Sequence, residues 1–159
     1  MALERFFPDF SQKSEGVTMT IVGFNFTKIN VEKKAGAGGK VNINNNVSIK
    51  DVKEYSLMLG KSEQKGLRFV FEFKSEYEPN MGSIVLNGDV MYLGPNEEVD
   101  KVMKEWKKNK KIDPDFSAPI LNTVLTRSNI KALILSQDVN LPSPIPLPRI
   151  SKAPKESKK

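Results

Sequence analysis

Residues 67–73 read Leu-Arg-Phe-Val-Phe-Glu-Phe, so Leu67, Phe69, Phe71 and Phe73 recur at every second position with Arg68 and Glu72 between them. Only an extended strand brings such a set to one side, and three phenylalanine rings on one side need a cover, because in water they would form a large apolar patch. The chain must therefore build a sheet with one covered face. The rest of the sequence has to supply both neighbouring strands and the cover.

Neighbours are readable on either side. From Thr18 to Lys33, Thr20, Val22, Phe24 and Phe26 fall on one side of an expected strand, and Ile21, Ile29 and Val31 on the other. The glycine-rich stretch Ala35–Gly39 breaks the pattern, which resumes through Val41, Ile43, Val47 and Ile49. Turn residues at 78–82 precede a fourth run with Ile84, Leu86, Val90 and Tyr92 in alternation. Strands joined by short connections are expected to pair as a four-stranded antiparallel meander, with Ala35–Gly39 as a hairpin loop.

Beyond Gly94 the period changes from two to 3.6. Val99, Val102, Met103 and Trp106 mark one face of a short amphipathic helix, with Asn96 as expected N-cap, Glu97 and Glu98 in the first turn and lysines at its end. A second helix is expected to open near Pro119, placed in its first turn, and to carry Ile120, Leu121, Val124, Leu125, Ile130, Ala132, Leu133, Ile134 and Leu135. A helix apolar on most sides is a core helix or part of a helix–helix subunit interface, and Leu125, Ile130, Leu133 and Ile134 are the interface candidates. Prolines 142, 144, 146 and 148 then alternate with Leu141, Ile145 and Leu147, which excludes helix and predicts an extended segment lying on the body. The expected class is α+β: a four-stranded antiparallel sheet with two C-terminal helices.

Length and charge set the organisation. One domain over residues 17–150 accounts for most of the 159 residues, preceded by an irregular arm at 1–16 and followed by a basic, disordered tail at 151–159. The net charge is +6, and residues 149–159 concentrate it in Arg149, Lys152, Lys155, Lys158 and Lys159 against Glu156. Such a fringe attracts phosphates or acidic surfaces without reading sequence.

The sequence holds no His and no Cys, which removes the side chains most used for proton transfer at neutral pH, thiolate attack and zinc ligation. Gly39 and Lys40 mimic the end of a phosphate-binding loop. The first glycine position is Lys34, however, and Val41 stands where a magnesium-ligating hydroxyl belongs. Glu72, Glu76 and Glu78 lie on or near the solvent side of a strand, and Asp113 and Asp115 lie in a loop, so no acidic cluster converges. The expectation is a non-enzyme without metal or cofactor. With no secretory leader pattern and no apolar window of roughly 18 residues, a soluble, cytoplasmic protein is expected.

Three stretches, Gly82–Gly88 "GSIVLNG", Pro119–Leu125 "PILNTVL" and Leu141–Pro148 "LPSPIPLP", occur in this order after a run of strands. In order and pattern the chain resembles the SecB-like protein-export chaperones over about residues 18–150. The resemblance implies a homotetramer built as a dimer of dimers, or a homodimer, that binds unfolded polypeptide in apolar grooves without ATP. On that analogy Phe69, Phe71, Phe73, Met103 and Trp106 are the expected groove residues. Members of that family are acidic and dock an ATPase motor through that charge, whereas this chain is basic. Two other classes stay open: a basic adaptor holding nucleic acid or ribosomes through its lysine tail, and a structural homo-oligomer whose apolar helix is used up by self-assembly.

Overall fold

A computed structural model describes residues 20–36 and 39–148. The expected arm at 1–16 and the basic tail at 151–159 lie outside these residues. Four strands come first, β1 (Thr20–Lys33), β2 (Asn42–Leu59), β3 (Ser62–Glu78) and β4 (Gly82–Leu93), then two helices, α1 (Asn96–Asn109) and α2 (Pro114–Asp138). The fold is α+β, with a fully antiparallel sheet and two C-terminal helices.

Strand order is β1-β4-β3-β2, which corrects the meander. β2, β3 and β4 follow one another through tight turns, but β1 pairs with β4 at the far edge. The glycine-rich stretch is thus a crossover and not a hairpin loop. It passes over the β3–β4 turn, where Lys34 N–H donates to Met81 O at 2.8 Å. Gly36 permits that crossing, because a Cβ there would run into the Met81 side chain.

The register places the apolar residues in rows. Phe24, Val90, Phe69 and Val52 form one row, Phe26, Gly88, Phe71 and Ile49 the next, and Ile29, Leu86, Phe73 and Val47 the third. Bulges between Ile21 and Gly23, between Phe26 and Lys28 and between Ile49 and Asp51 each insert one residue and invert the alternation. Ile21, Phe24 and Phe26 thereby share the core face with Val31, which a strictly alternating strand would have split. Val22, expected beside Phe24, instead looks away from the core and is 47% exposed.

The helices supply the cover. α1 buries Val99, Val102 and Trp106, as its period predicts, but its N-cap position is Pro95. Asn96 instead accepts from Lys65 N–H at 3.3 Å and ties the helix start to β3. α2 opens earlier than expected: Asp113 Oδ1 accepts from Asp115 N–H at 3.0 Å, Pro114 begins the helix, and Pro119 sits inside it. Its buried line is Phe116, Ile120, Val124, Ser128, Ala132 and Ser136, one residue every fourth position and shrinking along the helix. Phe116 packs edge-on to Tyr92 with centroids 5.2 Å apart, while Ala132 joins the cluster of Phe73, Tyr77, Ile84 and Leu86. The helix ends in a left-handed Asn140, with Leu141 N–H donating to Ser136 O at 2.8 Å and Asn140 N–H to Gln137 O at 3.3 Å. This paired closure turns the chain back and buries Leu141.

Candidate polypeptide-binding site

Phe69, Phe71 and Phe73 are fully buried beneath the helices. They form the middle of the core and offer nothing to a client, which corrects their assignment as groove residues. The reason is packing: Phe71 stacks on Phe24 at 5.2 Å and meets Phe26 at 6.2 Å, while Phe69 lies 6.2 Å from Phe116 of α2. Trp106 is buried against the same cluster and Met103 half-buried on it, so neither lines a groove either. A hydrogen-bond partner is missing for Trp106 Nε1, and Lys110 lies 5.2 Å from the ring centroid.

The four interface candidates divide. Ile130 and Ile134 stand on the outer side of α2, 56% and 50% exposed, and Leu133 beside them is half-buried. Leu125 points inward and packs with Phe26, Val31 and Val47 around the second core cluster.

The accessible apolar concavity is elsewhere, at the end of the sheet where the chain leaves the C-terminus of α2. Residues 141–148 run back over this end as a strap. Leu141 and Pro144 are buried, the chain bends at Pro144 and Ile145, and Leu147 is 46% exposed. Between strap and sheet opens a cleft of about 800 Å³, with Val41, Asn42 and Ile43 on one wall and Pro144, Ile145 and Leu147 on the other. Among the described residues no charged side chain lines it. Among the described residues β2 is an edge strand, paired only with β3, and its first residues, Asn42, Ile43 and Asn45, line the cleft.

Two donors from the sheet hold the strap. Tyr77 O–H donates to Pro142 O at 2.7 Å, and Asn45 Nδ2–H to Pro144 O at 2.7 Å. Buried Ser75 donates to Asn45 Oδ1 at 2.7 Å, which occupies the oxygen of that amide and aims its nitrogen at the strap. Burial pushes the Tyr77 phenol above the ordinary tyrosine range, with the Ser75 hydrogen bond pulling weakly the other way, so the group stays a donor at neutral pH. Asn45 and Tyr77 escaped the sequence reading. The available signal was their parity: both share the core-face alternation of Ile43 and Val47 or of Phe71 and Phe73, where a polar group requires a partner.

The opposite face of the sheet is polar and ion-paired. Asp89, nearly fully buried, accepts from Arg68 at 2.7 Å and from Asn25 at 3.4 Å. Glu72 pairs with Lys50 at 3.6 Å and accepts from Asn87 at 3.2 Å. Among the described residues no group of His, Cys, Asp or Glu could hold a metal ion, and no helix is long and apolar enough to cross a membrane.

The geometry therefore defines an α+β protein with an uncharged cleft at a sheet edge. No protein-family model, curated protein or solved structure matches the chain.

Proposed function

We propose that this chain is an ATP-independent, holdase-type chaperone of SecB-like architecture, which binds non-native polypeptide in the cleft between β2 and the C-terminal strap. The cleft carries the reading: about 800 Å³ of concavity on the edge strand β2, lined by no charged side chain among the described residues. An extended client segment finds backbone partners on the edge of β2 and apolar contact on Val41 and Ile43, with little demand on its sequence. Burial there yields roughly 25 cal/mol per Å² of apolar surface, and no nucleotide enters the process. The protein is read as non-catalytic and cytoplasmic, working as a homodimer or homotetramer through the outer side of α2 at Ile130, Leu133 and Ile134.

The test uses the full chain, its mass fixed by light scattering, mixed with a reduced, unfolded reporter and with the same reporter folded. Binding of the unfolded form alone, weakened by Val41→Glu and Ile43→Glu, supports the reading. No binding by an intact oligomer overturns it.

One observation favours a second reading, a structural homo-oligomer. The phenylalanine face is wholly occluded within a single chain, and on that reading Ile130 and Ile134 serve assembly alone. The nucleic-acid adaptor rests on the tail, outside the described residues, and loss of binding on deleting residues 151–159 with a steep salt slope would mark it.

A further inference from the structure

The strap is held to the sheet by side-chain donors on its carbonyls. Among the described residues the strap forms no ladder with β2, and Ile145 N–H turns instead to Ser143 Oγ at 3.3 Å. Its carbonyls are met by side chains instead, Pro142 O by Tyr77 and Pro144 O by Asn45. Two donors fixed on the sheet thus serve carbonyls two residues apart, next to seats that bury Leu141 and Pro144. Such an arrangement reads an extended, apolar backbone and asks little of its side chains. The strap's far end is exposed at Pro146, Leu147 and Pro148.

We infer that residues 142–148 are a built-in competitor: they occupy the part of the polypeptide site over Asn45 and Tyr77, and an extended apolar segment of a non-native client replaces them there, accepting the same two hydrogen bonds. This rests on the proposed chaperone reading and adds its regulation. Client affinity is then scaled by the fraction of molecules whose strap is open. Leu141 stays as the anchor about which the strap swings, being tied to Ser136 O and seated among Phe73, Tyr77 and Ile84.

The chain has no cysteine, so Asn45→Cys with Pro144→Cys introduces a unique thiol pair that a disulfide or a short thiol cross-linker can close. The closed form is expected to bind the unfolded reporter at least about tenfold more weakly than the same variant reduced, since closing the strap lowers the competent fraction. In a second variant, Pro144→Gly with Ile145→Ser, the strap is loosened while Asn45 and Tyr77 remain. There affinity should rise about three- to tenfold over the unaltered chain. Equal affinity in the closed and reduced forms, or no gain on loosening, overturns the inference. If no form binds the reporter, the chaperone reading fails, and a labelled peptide of residues 139–150 added to the loosened variant decides the competitor separately. Saturable binding that Tyr77→Phe and Asn45→Ala abolish keeps it, and absence of binding overturns it.

Discussion

The same sheet face is covered in two ways. Over its middle, α1 and α2 lie on Phe69, Phe71 and Val90, and the contact is carbon against carbon, with Phe24 stacked on Phe71 and Phe116 edge-on to Tyr92. Over its end, a proline-spaced strap lies on Tyr77 and Asn45, and the contact runs through two hydrogen bonds to main-chain carbonyls. A helix satisfies its own backbone and can rest on bare aromatic rings. A chain with prolines at alternate positions cannot, and whatever lies beneath it must supply donors. The two donors set into an otherwise apolar floor at the end of the sheet match the kind of cover it receives.

Several substitutions would break or sharpen this contrast. Phe71→Ala, in the middle region, should cost about 3–5 kcal/mol, read from the denaturant midpoint. A cost below about 1 kcal/mol would mean that the helices sit loosely.

Alkali should act on both regions. Burial raises the phenols of Tyr77 and Tyr92, and the Glu98 carboxylate, to which Tyr92 O–H donates at 3.3 Å, raises the latter further. A group whose pKa is higher folded than unfolded contributes stability fully below the unfolded value, about 10 for tyrosine, and loses it as pH climbs toward the folded value. Stability should accordingly hold up to about pH 10 and fall beyond it, and in Tyr55→Phe, which leaves Tyr77 and Tyr92 as the described tyrosines, tyrosinate absorbance should follow unfolding. Phenolate absorbance rising freely in the folded protein would contradict the burial.

Tyr77→Phe removes one strap bond and should cost about 0.5–1.5 kcal/mol. Amide exchange at Ser143 and Ile145 should speed up while exchange in α2 does not change. Smallest of all is the effect on chain stability of Ile130→Lys with Ile134→Lys, within about 0.5 kcal/mol, because both side chains face outward. Their effect on assembly is the sharper measurement: light scattering should show smaller particles if the outer side of α2 joins subunits.

The elements themselves were legible. Period two in Leu67–Phe73 and period 3.6 in Val99–Trp106 report which side of one element is apolar, and both sets are buried or half-buried here. Two things stayed hidden for physical reasons. Strand order depends on where a crossover travels, and Lys34–Gly36 passing over the β3–β4 turn leaves no periodic trace. Bulges at Val22, Thr27 and Lys50 switch faces without changing composition, so Val22 and Ile21 exchanged places. The site suffered most. Aromatic residues at period two signal burial, whether that burial is by the chain's own helices or by a client, and only the cover decides. Asn45 and Tyr77 become conspicuous only when their neighbours on the same face are known to be apolar.

The pairing of β1 with β4 has a bearing on how the chain is made. β1 leaves the ribosome first, yet its partner is complete only after roughly sixty further residues have been added. At ordinary synthesis speeds that interval is about 3–12 seconds. Throughout it Phe24 and Phe26 have no completed strand beside them and no helix above, while β2 and β3 can already close on one another through their tight turn. The nascent chain thus passes through a stage with an unpaired apolar strand, and its yield in the cell should be governed by how quickly that strand is captured.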